Sequence, residues 1–186
     1  MLSLFKLIRI EGISMKKKNL RKFVSYGGLL STITVIFQTA PIFFPPIGLL
    51  LSPFSTLPIA VATSSSISLG ISIFISSSII ISIISLQEYL IFCFTTGLLG
   101  IIIGTFINRC NVVVSIIAST ISLTLGIIIL TYLINIDSFS DFAKSIPPII
   151  VILIYFVFSF IYSIISNIII NKILKYLNRI EVNFKL

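Results

Sequence analysis

Few side chains in this 186-residue chain are of a kind that does chemistry, and their spacing narrows the choice further. There is no histidine, which excludes metal-histidine centres and histidine acid-base catalysis. Cys93 and Cys110 are only two, too few for a disulfide scaffold, and both look like small apolar fillers. Glu88 is the nearest thing to an ionisable group inside an apolar stretch, the usual marker of function in a membrane. It reads either as a solvated loop carboxylate or as a ligand or cation contact at the mouth of a helix bundle. The apolar stretches hold no buried carboxylates of the kind that ion-coupled carriers need, and no paired Asp, Ser-His or zinc motif of an intramembrane protease. None of the nine glycines is placed to cradle a phosphate beside Lys and Ser/Thr. The expectation is a non-enzyme with no cofactor and no metal.

What remains is neutral polarity. Gln38 and Thr39 stand near the end of the first apolar stretch, Asn167 and Asn171 in the last, and serines are scattered between. A side-chain amide in lipid needs partners, and Gln38 adjoins the most individual part of the chain. Residues 38–62 hold five prolines in 25 positions. Proline fixes φ and removes a donor, so this stretch reads as a turn followed by an irregular or kinked span. Non-helical backbone at membrane depth is tolerated where it lines a cavity. A small-molecule site is therefore expected around Gln38, Pro41, Phe43, Phe44, Ser52, Ser55 and Thr56, with Glu88 near it; the plainer reading is a kinked structural hairpin.

The elements that would position these residues follow from composition. Hydrophobic residues make up 57% of the chain and charged ones 10%, with a mean hydropathy of +1.21. Soluble domains run at about 45–50% and about 25%. A soluble domain and a disordered chain are both excluded. Apolar stretches long enough to span run from Phe23 to Phe44, Ile67 to Leu86, Tyr89 to Ile107, Val112 to Ile134, and Pro147–Pro148 to about Asn171. Ile47 to Thr63 is a shorter candidate. The expected fold is all-α: a polytopic membrane helix bundle of six transmembrane helices, with both termini cytoplasmic.

Charge bias decides the doubtful span. Cytoplasmic loops collect Lys and Arg, and six spans place every basic residue but Lys144 inside: Lys6, Arg9, Lys16, Lys17, Lys18, Arg21, Lys22, Arg109, Lys172, Lys175, Arg179 and Lys185. Glu88, Asp137, Asp141 and Lys144 then fall outside. Five spans would strand Arg109 and the basic tail on the wrong side. The chain divides into a basic cytoplasmic segment 1–22, a transmembrane domain 23–171 and a basic cytoplasmic tail 172–186, in a multi-pass protein of the cell membrane. Met15, followed by three lysines, reads as a start; alternatively Met1 to Ser14 forms an amphipathic surface helix. No cleavage site of a signal peptide is evident. The longest polar connection is Asn135 to Ser145, and the net charge of +8 belongs to helix ends facing anionic lipid, not to a nucleic-acid partner.

Small residues recur at helical spacing. Thr96, Gly100, Gly104 and Asn108 make one stripe, with Gly97 beside it; Gly27 with Ser31 and Gly28 with Thr32 make another. In the third span Ser68, Ser72, Ser76 and Ser82 accompany the run Ser76–Ser78. Such patterns let membrane helices approach closely. They read as packing faces, within the chain or towards a partner, with a substrate-lining face as the alternative for the serine stripe.

On these features, over roughly Lys16 to Asn171, the chain resembles the substrate-binding S components of energy-coupling factor (ECF) transporters. The likeness rests on six spans, cytoplasmic termini, a basic N-terminus and the small residues Gly27, Gly28, Ser31 and Thr32, where that family docks on its membrane partner. Pro46-Ile-Gly-Leu-Leu-Leu-Ser-Pro53, Leu57-Pro-Ile-Ala60 and Gly97-Leu-Leu-Gly-Ile-Ile-Ile-Gly104 also look like the YybS-like uncharacterised membrane proteins. The resemblance implies a non-enzymatic subunit that captures a vitamin or micronutrient on the outer side. A transmembrane coupling protein and an ATPase pair would be its partners. The alternatives are a scaffold, immunity or assembly protein that binds another membrane protein through its Gly and Ser faces, or a small channel, although neither charged rings nor aligned carbonyls are readable.

Overall fold

The computed structural model describes the backbone of residues 2–107, 109–134 and 147–184, and the side chains of 23–107, 109–134 and 147–177. Asn108, the loop holding Asp137, Asp141 and Lys144, and the side chains of the N-terminal basic cluster lie outside the described residues. Among those described there is no strand, and six helical stretches are long and apolar enough to cross a membrane. The protein is an all-α multi-pass membrane protein.

Helix α1 (Leu2–Phe43) carries the first span, Phe23–Phe43. It stops because Phe44 precedes a proline, which disfavours the helical region, and Phe44 adopts φ −137°, ψ 77°. Pro45 and Pro46 then occupy the first turn of α2 (Pro45–Leu51), where a missing N–H costs nothing. A 3-10 turn (Ser52–Ser55) joins α2 to α3 (Thr56–Ser65), so the second span is irregular halfway along. Its residues are half buried overall, more than in any other span, which sets it at the centre.

Single extended residues make the next two reversals. Ser66 (φ −155°) leads into α4 (Ile67–Ile84), and Ser85 (φ −156°) into α5 (Leu86–Phe94). The fourth span continues as α6 (Thr96–Phe106), the fifth is α7 (Val112–Ile128) ending in a π turn (Ile129–Leu133), and the sixth lies in α8 (Pro148–Phe184).

Lipid tails are as apolar as leucine, so close packing holds such bundles together. The tightest seam joins α3 to α6. A Cβ on Gly100 would lie 2.9 Å from both Ile59 Cβ and the Thr56 carbonyl, and Gly104 abuts Ala60 and Thr63. Gly97 lies against the Phe74 ring of α4 and the Phe92 carbonyl. In α8 the buried positions Val151, Tyr155, Ser159, Ser163, Asn167, Ile170 and Leu174 form one stripe at three- and four-residue spacing, and most of the residues between them are exposed.

Candidate functional site

Two helix interruptions gather the polar residues of the interior. In the second span Pro53 cannot donate to a helical ladder, and the chain tightens into the 3-10 turn. In the fourth, Thr95 leaves the helical region at φ −120°, ψ −89° and separates α5 from α6. The neighbouring carbonyl of Phe94 lies where a side chain on Gly126 of α7 would stand, so the break is keyed to the fifth span. That span has its own irregularity three residues on, the π turn. Interrupted helices and π bulges are the forms in which membrane-depth backbone builds binding sites.

Gln38 sits where the interruptions meet, with no exposed surface. Ser55 Oγ, from the 3-10 turn, donates to its Oε1 at 2.9 Å, and Thr96 Oγ1, from the start of α6, donates to the same oxygen at 2.8 Å. Gln38 Nε2 in turn donates to Glu88 Oε2 at 2.9 Å. An ionised carboxylate only accepts hydrogen bonds, which turns the amide NH2 towards Glu88 and leaves the amide oxygen for the two hydroxyls.

Glu88 occupies the first turn of α5. Ser85 caps that helix, its Oγ accepting from the Glu88 N–H at 3.3 Å. In a Ser-x-x-Glu box the glutamate returns to the N–H of the cap residue; here the Ser85 N–H is taken by the Ile81 carbonyl and the carboxylate is turned to Gln38.

Beside this network lies a cavity of about 280 Å³. The first two spans contribute Pro41, Leu49, Ser52 and Pro53, and the fourth Gln87, Glu88, Ile91, Thr95 and Thr96. Leu123 and Ile127 of the fifth and Phe158 and Tyr162 of the sixth close the remaining side. Ligand pockets run at roughly 300–1,000 Å³ with mostly apolar walls and a few placed polar groups, so this one suits a small molecule. The Tyr162 hydroxyl donates to the Pro53 carbonyl at 3.2 Å, and Thr56 Oγ1 donates to the same oxygen at 2.8 Å. The Phe158 ring stacks on Tyr162 with centroids 6.2 Å apart.

Compared with known protein families, curated proteins and solved structures, the chain matches none.

The residues expected around a ligand take three different places. Pro41, Ser52 and Glu88 line the cavity. Gln38, Ser55 and Thr56 are buried behind its wall; Gln38 bonds the lining Glu88, Thr56 bonds the lining Pro53, and Ser55 bonds Gln38. Phe43 and Phe44 are a correction: they are 67% and 64% exposed and turn out of the bundle, because the last turn of α1 presents its far face there. Glu88 is a further correction to its solvated-loop reading, being half-buried, helical and bonded to Gln38. Sequence reasoning misses Tyr162, Phe158 and Thr95. The signals present are a polar-tipped aromatic in a long apolar run and Ser85 three residues before Glu88.

A second polar cluster joins the fifth and sixth spans near their other end. Ser115 Oγ donates to Asn167 Oδ1 at 2.6 Å, and Asn167 Nδ2 donates to the Ser163 carbonyl at 2.8 Å and to Ser119 Oγ at 3.3 Å. This is packing polarity, fully buried.

The small residues of the first span lie together on one groove. Ser31 is buried, and its carbonyl accepts from Ser77 Oγ of α4 at 3.4 Å. Gly27, Gly28, Ser31 and Thr32 all line a groove of about 440 Å³ between α1 and α4 together with Ser72 and Ser76. Nothing lies within 4 Å of a Cβ built on Gly28. Most serine and threonine hydroxyls here turn back on their own helices, as Thr32 does to the Gly28 carbonyl at 2.9 Å and Ser72 to that of Ser68 at 2.8 Å, which leaves the groove wall smooth.

Among the described residues no three His, Cys, Asp or Glu side chains stand together. The cavity offers hydrogen bonds, one carboxylate and aromatic faces.

Proposed function

We propose that this chain captures a small molecule in the cavity beside Gln38 and Glu88, as the substrate-binding subunit of an ECF-type uptake transporter. The cavity is the observation that supports the reading best. It is lined by five of the six spans, its walls are mainly apolar, and its polar groups Glu88 and Thr96 are held by hydrogen bonds to Gln38 behind the wall. Interrupted helices around a site suit a protein that must bind and release. With the basic segments cytoplasmic, the cavity opens towards the outer half of the bilayer. The groove at Gly27, Gly28 and Thr32 is then the face for a coupling protein, and in this reading separate ATPases supply the energy.

The test is purification in mild detergent from native membranes, with mass spectrometry of co-purifying proteins and small molecules. Recovery of an ATPase pair, a second multi-span protein and a bound metabolite is the expected result. The metabolite should be lost in Ile91→Phe, which fills the cavity from a half-buried wall position. A scaffold is the second reading, favoured by the open groove at Gly28. It predicts one membrane partner, no ATPases and no ligand.

A further inference from the structure

Resting on the reading of this cavity as a ligand site, we infer that its ligand is a small organic cation, seated with its charge between the Glu88 carboxylate and the aromatic wall of Tyr162 and Phe158.

Charge balance is the first argument. Among the described residues Glu88 is the one carboxylate that lines the cavity, and no Lys or Arg does. A half-buried carboxylate in a membrane bundle is costly unless an opposite charge or several donors reach it. Gln38 supplies one donor, to Oε2. A carboxylate offers about four acceptor sites, so one amide N–H leaves most of its capacity for a ligand. Gln38 itself cannot turn to accept from a ligand, because Ser55 and Thr96 occupy its oxygen. The amide is a positioning group: it aims the carboxylate and keeps an acceptor-only surface towards the cavity.

The second argument is the aromatic part of the lining. Tyr162 is fixed by its hydroxyl on the Pro53 carbonyl, and Phe158 is stacked upon it at an interplanar angle of 24°. A cation is attracted to the face of such rings, more so when desolvated. An anionic ligand would meet both a carboxylate and negative ring faces.

The third argument separates an organic cation from a bare metal ion. Hard divalent cations take six or more oxygen ligands, whereas Leu49, Ile91, Leu123 and Ile127 give this cavity a hydrocarbon lining. That lining fits the body of an alkyl- or arylammonium.

The experiment uses full-length protein purified in detergent, titrated with benzyltrimethylammonium and choline and with 3,3-dimethylbutan-1-ol, the neutral isostere of choline. Binding is read by calorimetry and by the shift in Tm. Choline is expected to bind about tenfold more tightly than the isostere. Glu88→Gln, which preserves size and an acceptor for Gln38, should erase that difference, and Glu88→Asp should retain part of it. Equal binding of choline and the isostere by the wild type, or an unchanged preference in Glu88→Gln, overturns the cation assignment while leaving a ligand cavity in place. No binding of any of the three probes, with Ile91→Phe indistinguishable from wild type in Tm and in co-purified small molecules, overturns the cavity reading and the cation assignment with it.

Discussion

Gln38 donates from Nε2 to Glu88 Oε2 at 2.9 Å, tying the end of the first span to the first turn of the fourth across 50 positions of sequence. The same amide oxygen receives Ser55 and Thr96, so one side chain joins three spans at the point where two of them are interrupted. Gln38→Leu removes every one of these bonds at once and strands Glu88 without its donor. Leaving a buried polar group unsatisfied costs about 1–3 kcal/mol. Ser55 and Thr96 can turn back to carbonyls of their own helices, which softens the loss, so a net destabilisation of about 2 kcal/mol is expected. Gln38→Glu should be worse, because it sets a second carboxylate against Glu88. Thermal unfolding in detergent ranks the two; a Gln38→Leu protein as stable as wild type would show that the network has no structural weight.

Gly126 and Gly28 predict opposite responses to the same substitution. A Cβ on Gly126 would collide with the Phe94 carbonyl, a backbone atom that cannot swing aside, while one on Gly28 meets nothing within 4 Å. Overpacking typically costs about 1–3 kcal/mol, occasionally more. Gly126→Ala should therefore lower Tm clearly and disturb the break at Thr95, and Gly28→Ala should leave the isolated chain unchanged. If Gly28→Ala weakens recovery of a membrane partner without moving Tm, the groove between α1 and α4 is an interface.

These two glycines also show how far the sequence can be read. The six spans are legible because apolar runs are bounded by prolines, serines and charges, and five prolines between residues 38 and 62 forecast the irregular second span. The break at Thr95 is not legible, since Phe94-Thr95-Thr96 contains no helix breaker and the conformation answers to Gly126 on another helix. Gln38 stands out as an amide in need of partners, but its partners come from positions 55, 88 and 96, which only the folded chain brings together. Phe43 and Phe44 adjoin the right prolines and still face away, because adjacency along a helix end says little about side-chain direction. The helical setting of Glu88 is readable from Ser85-x-x-Glu88, the signature of a capped N-terminus.

Orientation in the membrane is predicted by charge and testable with thiol reagents. Leu86 is 66% exposed at the turn between α4 and α5, and Cys110 is exposed at the opposite end of the fourth span. With the basic segments cytoplasmic, Leu86→Cys in a Cys93→Ala, Cys110→Ala background should label in intact cells with a membrane-impermeant maleimide. Cys110 should label only after permeabilisation. The reverse pattern would turn the bundle over and place the Glu88 cavity on the cytoplasmic side, removing the basis for an uptake role.

Asn167 offers a cleaner measure of what polar contacts contribute inside this bundle. It is fully buried and links α8 to α7 through Ser115 Oγ at 2.6 Å, the shorter of its two side-chain contacts with that helix. An intuitive expectation is a large effect, since lipid provides no substitute partner. Membrane hydrogen bonds nevertheless average about 0.6 kcal/mol in double-mutant cycles and reach about 1.7, because unfolded helices also find partners. Asn167 Nδ2 already bonds the Ser163 carbonyl of its own helix at 2.8 Å, so that part of its polarity survives separation of the two helices. A cycle of Ser115→Ala and Asn167→Leu should therefore give a coupling of about 0.6–1.7 kcal/mol. A coupling near zero would mean that the α7–α8 seam is held by the packing of Leu123, Ile127, Val151 and Ile170 alone.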